Sequence, residues 1–141
     1  MNNHKYSKHW GQTLVEFAII LPVFLFLIVV VFDFGRAVYY YSAIHNAARE
    51  GARYGVIHPD DTSDIIARAK NYAIGLGVSD ITVSIDLSGY ETVNNFKNPT
   101  IKVTVEYPFK PVTPLVAAIL PCKCDTLHLS SDAVMRTETL P

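Results

Sequence analysis

Residues 11–34 read GQTLVEFAIILPVFLFLIVVVFDF and form one long apolar segment. Within it, Leu14 to Phe34 is 21 residues, and a helix of that length at about 1.5 Å per residue covers about 30 Å, the thickness of a hydrocarbon core. A secretory signal peptide would have a shorter apolar region and a small-x-small cleavage site soon after it. The chain instead continues with residues that favour a helix, so we predict one retained membrane-spanning helix.

Glu16 lies at the start of this apolar segment and needs an explanation. A charge in a spanning helix costs about 2.5 to 3.5 kcal/mol at the bilayer centre and less near its ends. An ordinary membrane anchor gains nothing from such a carboxylate. We therefore expect another group to stabilise Glu16.

The distribution of charge predicts how the chain is oriented. Lys5 and Lys8 give the first 11 residues a charge of +2, whereas residues 59–141 carry seven basic and ten acidic side chains. Basic residues before a span and a mildly acidic domain after it indicate a cytoplasmic N-terminus and an exported C-terminal domain. No basic face suggests a nucleic-acid partner. About a hundred residues remain outside the span, enough for one modest core.

Beyond the span, we predict that the helix continues to Gly55, because no breaking residue occurs before Gly55 and His58-Pro59. Small residues recur every four positions along this extension and leave one helix face nearly smooth, which allows a close backbone approach. These residues are Ala43, Ala47, Gly51 and Gly55.

The remaining pattern predicts a small α+β domain. A second, short helix is expected from Asp64 to Ile74, with Ser63 or Thr62 as its N-cap and Gly75 or Gly77 at its end. Alternating apolar residues predict strands at 81–87 and 101–107, joined by a polar, turn-rich loop as an antiparallel pair. A third strand is expected at about 126–137, which gives a sheet of three or four strands. Residues 112–120 predict a short apolar helix that either covers the core or forms an exposed patch.

No motif with a readable catalytic mechanism occurs, so we expect no enzyme, no cofactor and no small-molecule substrate. Cys122 and Cys124 can form a strained disulfide with each other, or pair with other thiols, in an oxidising compartment. With His128 they make a C-x-C-x3-H cluster, which has too few ligands for a structural zinc site. We therefore predict no metal here, and Cys122 and Cys124 are the candidate partners of a disulfide.

Two sets of charged residues on the long helix have simple structural interpretations. Glu50 and Arg53 are spaced for an exposed i,i+3 ion pair, beside Arg49. Asp33 near the end of the span can reach the headgroup region and pair with Arg36, so we assign it no chemistry.

From Gly11 to Gly55 the chain resembles the TadE-like family. The matching positions are Gly11, Glu16-Phe17-Ala18, Pro22, Asp33-Phe34-Gly35-Arg36 and Ala47-Ala48-Arg49-Glu50-Gly51-Ala52-Arg53. The resemblance implies a pilin-like architecture and a non-enzymatic minor pseudopilin of the tight-adherence (Tad/Flp) type IVb pilus. It also implies that the alanine and glycine face of the helix extension packs on the subunit's own sheet.

The resemblance further implies processing. A prepilin peptidase would cut on the cytoplasmic side between Gly11 and Gln12, leaving Glu16 as the fifth residue of the mature chain. Residues 1–11 would be the leader, 12–34 the membrane helix and 35–141 the extracytoplasmic domain, with the helix extension at 35–55. The implied partners are the peptidase, another minor pseudopilin, the major pilin, the inner-membrane assembly platform and membrane lipid.

The new α-amine at Gln12 would lie one helical turn from Glu16. A carboxylate and an ammonium that are each costly in apolar surroundings can offset one another. Between chains, Glu16, with Phe17 beside it, would then set the axial register of assembly.

Two alternatives remain open. One is an uncleaved, single-pass anchored scaffold or adhesin. The other is a membrane-tethered thiol or metal-binding domain built on Cys122, Cys124 and His128.

Overall fold

A single long helix dominates the computed structural model, which describes residues 10–93, 96–113 and 126–137. This helix, α1 (Trp10–Ile57), has 48 residues, which corresponds to a length of about 72 Å. It ends just before His58-Pro59, since a residue that precedes proline is pushed out of the helical region. The predicted continuation of the helix from the apolar segment through Gly55 is confirmed.

A second helix, α2 (Thr62–Tyr72), begins slightly earlier than predicted. Its N-cap is Asp61, whose side chain accepts a hydrogen bond from the backbone nitrogen of Asp64 at 3.4 Å. Asp61 also accepts one from the Ser63 hydroxyl at 2.9 Å. The prediction of Ser63 or Thr62 as the cap is therefore wrong, because the nearby aspartate supplies the stronger acceptor.

In the described part of the chain, three strands form one antiparallel sheet in the order β1-β2-β3. The strands are β1 (Thr82–Val93), β2 (Phe96–Phe109) and β3 (Leu127–Arg136). β2 lies in the centre, with Thr82 opposite Glu106 on one side and Thr100 opposite Arg136 on the other. The predicted α+β class, with a long helix, a short helix and a small antiparallel sheet, is confirmed.

The polar segment between the first two strands is not the long loop that the sequence predicted. Its residues continue both strands as a paired hairpin up to Val93 and Phe96. The register shifts once, because two residues of β1 lie opposite one of β2 between Asp86 and Gly89. Asp86 stabilises this bulge by accepting hydrogen bonds from the Ser88 nitrogen at 2.8 Å and the Ser88 hydroxyl at 2.6 Å. The polar residues of this segment resemble a turn in sequence, but in the structure they form a bulged hairpin.

Both helices contribute to one core against the sheet. Ile44 of α1 and Ile65 of α2 are completely buried. Alternate residues of β2 face them and are equally buried, namely Ile101, Val103 and Val105. The core therefore covers only the upper, C-terminal half of α1, from Ala43 onward.

Two glycines allow the close contact between α1 and this core. A Cβ at Gly51 would lie 3.1 Å from Ala69 Cβ and 3.2 Å from Val103 Cγ1. A Cβ at Gly55 would overlap Ile101 Cδ1. Ala43 and Ala47 on the same face are also buried. The smooth face of the extension thus packs against the chain's own sheet and second helix.

We expect Gly55→Leu to destabilise the domain by about 1–3 kcal/mol, because the added side chain overpacks a filled site. Gly35→Leu is the matched control on the same helix, since a Cβ at Gly35 meets nothing within 4 Å. Urea unfolding of the detergent-solubilised chain, followed by circular dichroism, measures both. Equal stability of the two variants would contradict the packing described here.

Candidate functional site

Apart from Asp33, the lower half of α1, its N-terminal part up to Phe34, does not pack against the rest of the described chain. Its best 18-residue window has a mean hydropathy of 3.0 and is 0% buried. Large apolar side chains are exposed on every side of it, from Leu14 at 70% to Phe34 at 71%. Among the described residues this is the one helix that could span a membrane.

Glu16 lies near the start of this exposed segment. The side-chain amide of Gln12 donates a hydrogen bond to its carboxylate, with 3.2 Å between Nε2 and Oε1. Phe17 beside it is 63% exposed. Gly11 and Gln12 lie in the first turns of α1, and a Cβ at Gly11 would meet nothing within 4 Å. Gln12 therefore stands within reach of Glu16, one helical turn away.

Asp33 marks the point where α1 passes from exposed to covered. Its side chain is only 6% exposed. It accepts hydrogen bonds from the backbone nitrogens of Val112 at 3.1 Å and Thr113 at 2.7 Å, and from the Thr113 hydroxyl. These donors follow β2 and lie 79 and 80 residues away in sequence. Asp33 thus ties the chain after β2 to the end of the apolar segment.

Arg36 is the cationic partner in this arrangement. Its guanidinium lies 3.6 Å from the Asp33 carboxylate and donates to the Tyr40 hydroxyl at 3.4 Å. It also lies 5.6 Å from the ring centroids of both Tyr40 and Phe109. The hydrogen bond to Tyr40 is the main cause that raises the pKa of Arg36. Arg36 therefore remains charged and joins the helix to the end of β2.

We call Asp33, Arg36, Tyr40, Phe109 and Thr113 the junction cluster. Aromatic contacts complete it, since the Tyr40 ring lies 5.7 Å from Phe109 in an edge-on arrangement. Such pairs contribute about 0.5–1.5 kcal/mol beyond their buried area. The cluster fixes the lower end of the sheet against α1.

The sequence missed most of this cluster. It predicted the pairing of Asp33 with Arg36, which the structure contains, and assigned Asp33 no further role. The missed partners are Val112 and Thr113, which helical spacing could not reveal. The sequence did contain one signal for these partners. An acidic residue in the last turn of an apolar segment requires donors to compensate its charge.

The charged face of the helix extension is simpler. Glu50 and Arg53 form the predicted i,i+3 pair at 3.8 Å, and the Arg53 side chain is 77% exposed. Arg49 is exposed beside them. An exposed pair of this kind contributes little stability.

Cys122 and Cys124 lie outside the described residues. His128 is described and is exposed on β3. Within the described ranges, no group of three or more His, Cys, Asp or Glu side chains could hold a metal ion. The predicted disulfide between Cys122 and Cys124 therefore stays a prediction.

We expect Asp33→Asn to destabilise the domain by about 1–3 kcal/mol for each donor left without an acceptor, because the change replaces one oxygen of a buried carboxylate by an amide donor that faces other donors. Asp132→Asn is the control, since Asp132 forms an exposed pair with Lys102 at 3.4 Å. That change should cost at most about 1 kcal/mol. Urea unfolding in detergent measures the difference, and equal effects would show that the junction cluster contributes no special stability.

A comparison with known proteins finds a match to α1, the helix that contains Glu16, Asp33 and Arg36. Residues 11–53 match the sequence model of the family described as TadE-like protein. No curated protein and no solved structure matches the chain. The matched residues include Glu16, Asp33 and Arg36, together with Gly51 of the packed face. Over most of α1 the chain is therefore similar in sequence to the TadE-like family, as predicted.

Proposed function

We propose that this chain is a minor pseudopilin that is cleaved after Gly11 and takes part in assembling a Tad/Flp-type adhesive pilus. The observation that carries the proposal is the position of Glu16, one turn from Gln12 at the start of an uncovered apolar helix. The match over residues 11–53 supports it.

Cleavage between Gly11 and Gln12 would change the chemistry around Glu16. The side-chain amide of Gln12 already reaches the carboxylate at 3.2 Å. A cationic α-amine on the same residue would give Glu16 a charged partner. In apolar surroundings a carboxylate is tolerated only when it is paired, so processing would make the charge compatible with burial.

The uncovered part of α1 supplies the assembly surface. Leu14 to Phe34 faces lipid before assembly, where helices gain little from apolar contact alone. In a filament, neighbouring helices would replace the lipid. Glu16 of an incoming subunit would then pair with the amine of its neighbour and fix the axial register. A displaced subunit would leave both charges unpaired.

The division of α1 supports this role. The upper half already packs against the chain's own sheet through Ala47, Gly51 and Gly55. The domain therefore keeps its core when the lower half exchanges lipid for neighbours. A subunit of this kind can move from membrane to filament without refolding.

The proposed setting follows from the same features. The leader with Lys5 and Lys8 would remain in the cytoplasm, and the domain would lie outside the inner membrane. The prepilin peptidase would process the chain, and the assembly platform would pass it to another minor pseudopilin and the major pilin. The role is structural and requires no cofactor.

We expect Glu16→Ala to be cleaved normally but to lose piliation. Removing one partner of a buried ion pair costs about 3–5 kcal/mol, which corresponds to a loss of assembly of about a hundredfold or more. Immunoblots of cell membranes report processing, and the yield of sheared pili reports assembly.

Glu50→Ala is the matched control for this experiment. Glu50 lies on the same helix but forms a partly exposed pair with Arg53, so pilus yield should stay unchanged. Normal pilus yield from cleaved Glu16→Ala protein would contradict the proposed register role.

A further inference from the structure

We propose that the underside of the domain rests on the outer surface of the lipid bilayer before assembly. We define the underside as Arg36 and Tyr39 of α1, just beyond the apolar segment, together with Ile74 and Val112, which are hydrogen-bonded to α1 at Tyr39 and Asp33. This inference depends on the membrane anchoring in the proposed function. It adds a contact between the folded domain and lipid that anchoring by the helix alone does not require.

Asp33 fixes the position of Val112 along the membrane normal. The predicted span ends at Phe34, and Asp33 in its last turn binds the backbone nitrogen of Val112 at 3.1 Å. Val112 is therefore held at the end of the hydrocarbon core. Lipid headgroups extend about 5–7 Å beyond that core on each side. Val112 must then lie within or next to the headgroup layer.

A second contact, from another part of the chain, fixes Ile74 at a similar height. The Tyr39 hydroxyl donates a hydrogen bond to the Ile74 carbonyl oxygen at 3.1 Å. Tyr39 follows Phe34 by five residues, a rise of about 7.5 Å along the helix. Its side chain leans back toward the helix N-terminus, as long helical side chains do. The backbone at Ile74 therefore also lies near the headgroup layer, and the adjoining Gly75 lines a cleft together with Phe32 of the span.

The apolar side chains of the underside are exposed. Val112 is 69% exposed, Ile74 is 70% exposed and Tyr39 is 51% exposed. Single exposed apolar residues are common on protein surfaces. Here, however, exposed residues of three separate segments are held close to the end of the span by Asp33 and Tyr39, and Phe34 at that end is itself 71% exposed. The apolar surface of the span thus continues onto the underside.

The charge on the underside also suits a bilayer. The Arg36 side chain is 42% exposed while it contacts Asp33, and its pKa is raised, first of all by its hydrogen bond to Tyr40. An exposed guanidinium can bind a lipid phosphate in a bidentate manner. Tyrosine beside it prefers the interface, where its ring is apolar and its hydroxyl is hydrated. This combination matches the headgroup region of a membrane.

Depth-dependent quenching of tryptophan fluorescence tests this inference on the full chain. Trp10 is the single native tryptophan, so Trp10→Phe provides a silent background. Val112→Trp and Ile74→Trp are then introduced separately in that background, and the protein is reconstituted into phosphatidylcholine vesicles with lipid chains brominated near the headgroup. Because the two positions lie on different segments, misfolding of one variant does not remove the test.

Two reference variants define the scale. Val31→Trp reports the span, where the native side chain is 69% exposed. Val134→Trp reports a surface far from the membrane, since Val134 is 56% exposed on β3 near its end opposite Thr100. We expect the Val112→Trp and Ile74→Trp variants to be quenched several-fold more strongly than the Val134→Trp variant.

Two results would overturn the inference, and they are distinguishable. If the Val31→Trp variant is quenched but the Val112→Trp and Ile74→Trp variants match the Val134→Trp variant, the helix is anchored and the domain stands clear of the bilayer. A surface reserved for a protein partner would give the same result. If the Val31→Trp variant is not quenched either, membrane anchoring fails together with the inference.

Discussion

The buried carboxylate of Asp33 determines where the sheet packs along α1. A carboxylate removed from water must be compensated by donors, and two backbone nitrogens, one hydroxyl and Arg36 provide that compensation. Three of these donors lie beyond the end of β2, so the chain has to return to the same turn of α1 after forming two strands. This return sets the height of the sheet along the helix. It also separates the covered part of α1 from the uncovered part.

The two parts of α1 have residues suited to different surroundings. Above Asp33, alanine and glycine allow the sheet and α2 to approach closely, and Ile44 fills the core. Below Asp33, leucine, valine and phenylalanine are exposed on all sides, as lipid or neighbouring helices require. Because the core involves only the upper part, the lower part can change its surroundings while the domain remains folded. The proposed assembly role depends on this separation.

The sequence predicted the elements better than it predicted their contacts. Apolar length and the absence of breakers gave α1, and alternating residues gave β1 and β2, because these signals are local. The bulged hairpin was missed, since polar residues at 88–92 resemble a turn until their strand partners are known. The Asp33 to Thr113 contact was missed because 80 residues separate the partners and helical spacing reveals only neighbours within the helix. Glu16 and Gln12, in contrast, are one turn apart, so their proximity could be predicted.

In the proposed function, Glu16 acquires a charged partner only when processing exposes the amine of Gln12. An uncleaved chain would place Glu16 at the start of an apolar helix with an amide as its neighbour, whereas a cleaved chain would place an ammonium there. The most direct measurement is mass spectrometry of the N-terminal peptide from both membranes and sheared pili. We predict a mature chain that starts at Gln12 with an unblocked amine, in both fractions. A chain that still begins at Met1 in the membrane and is absent from pili would contradict it and favour an uncleaved anchored scaffold.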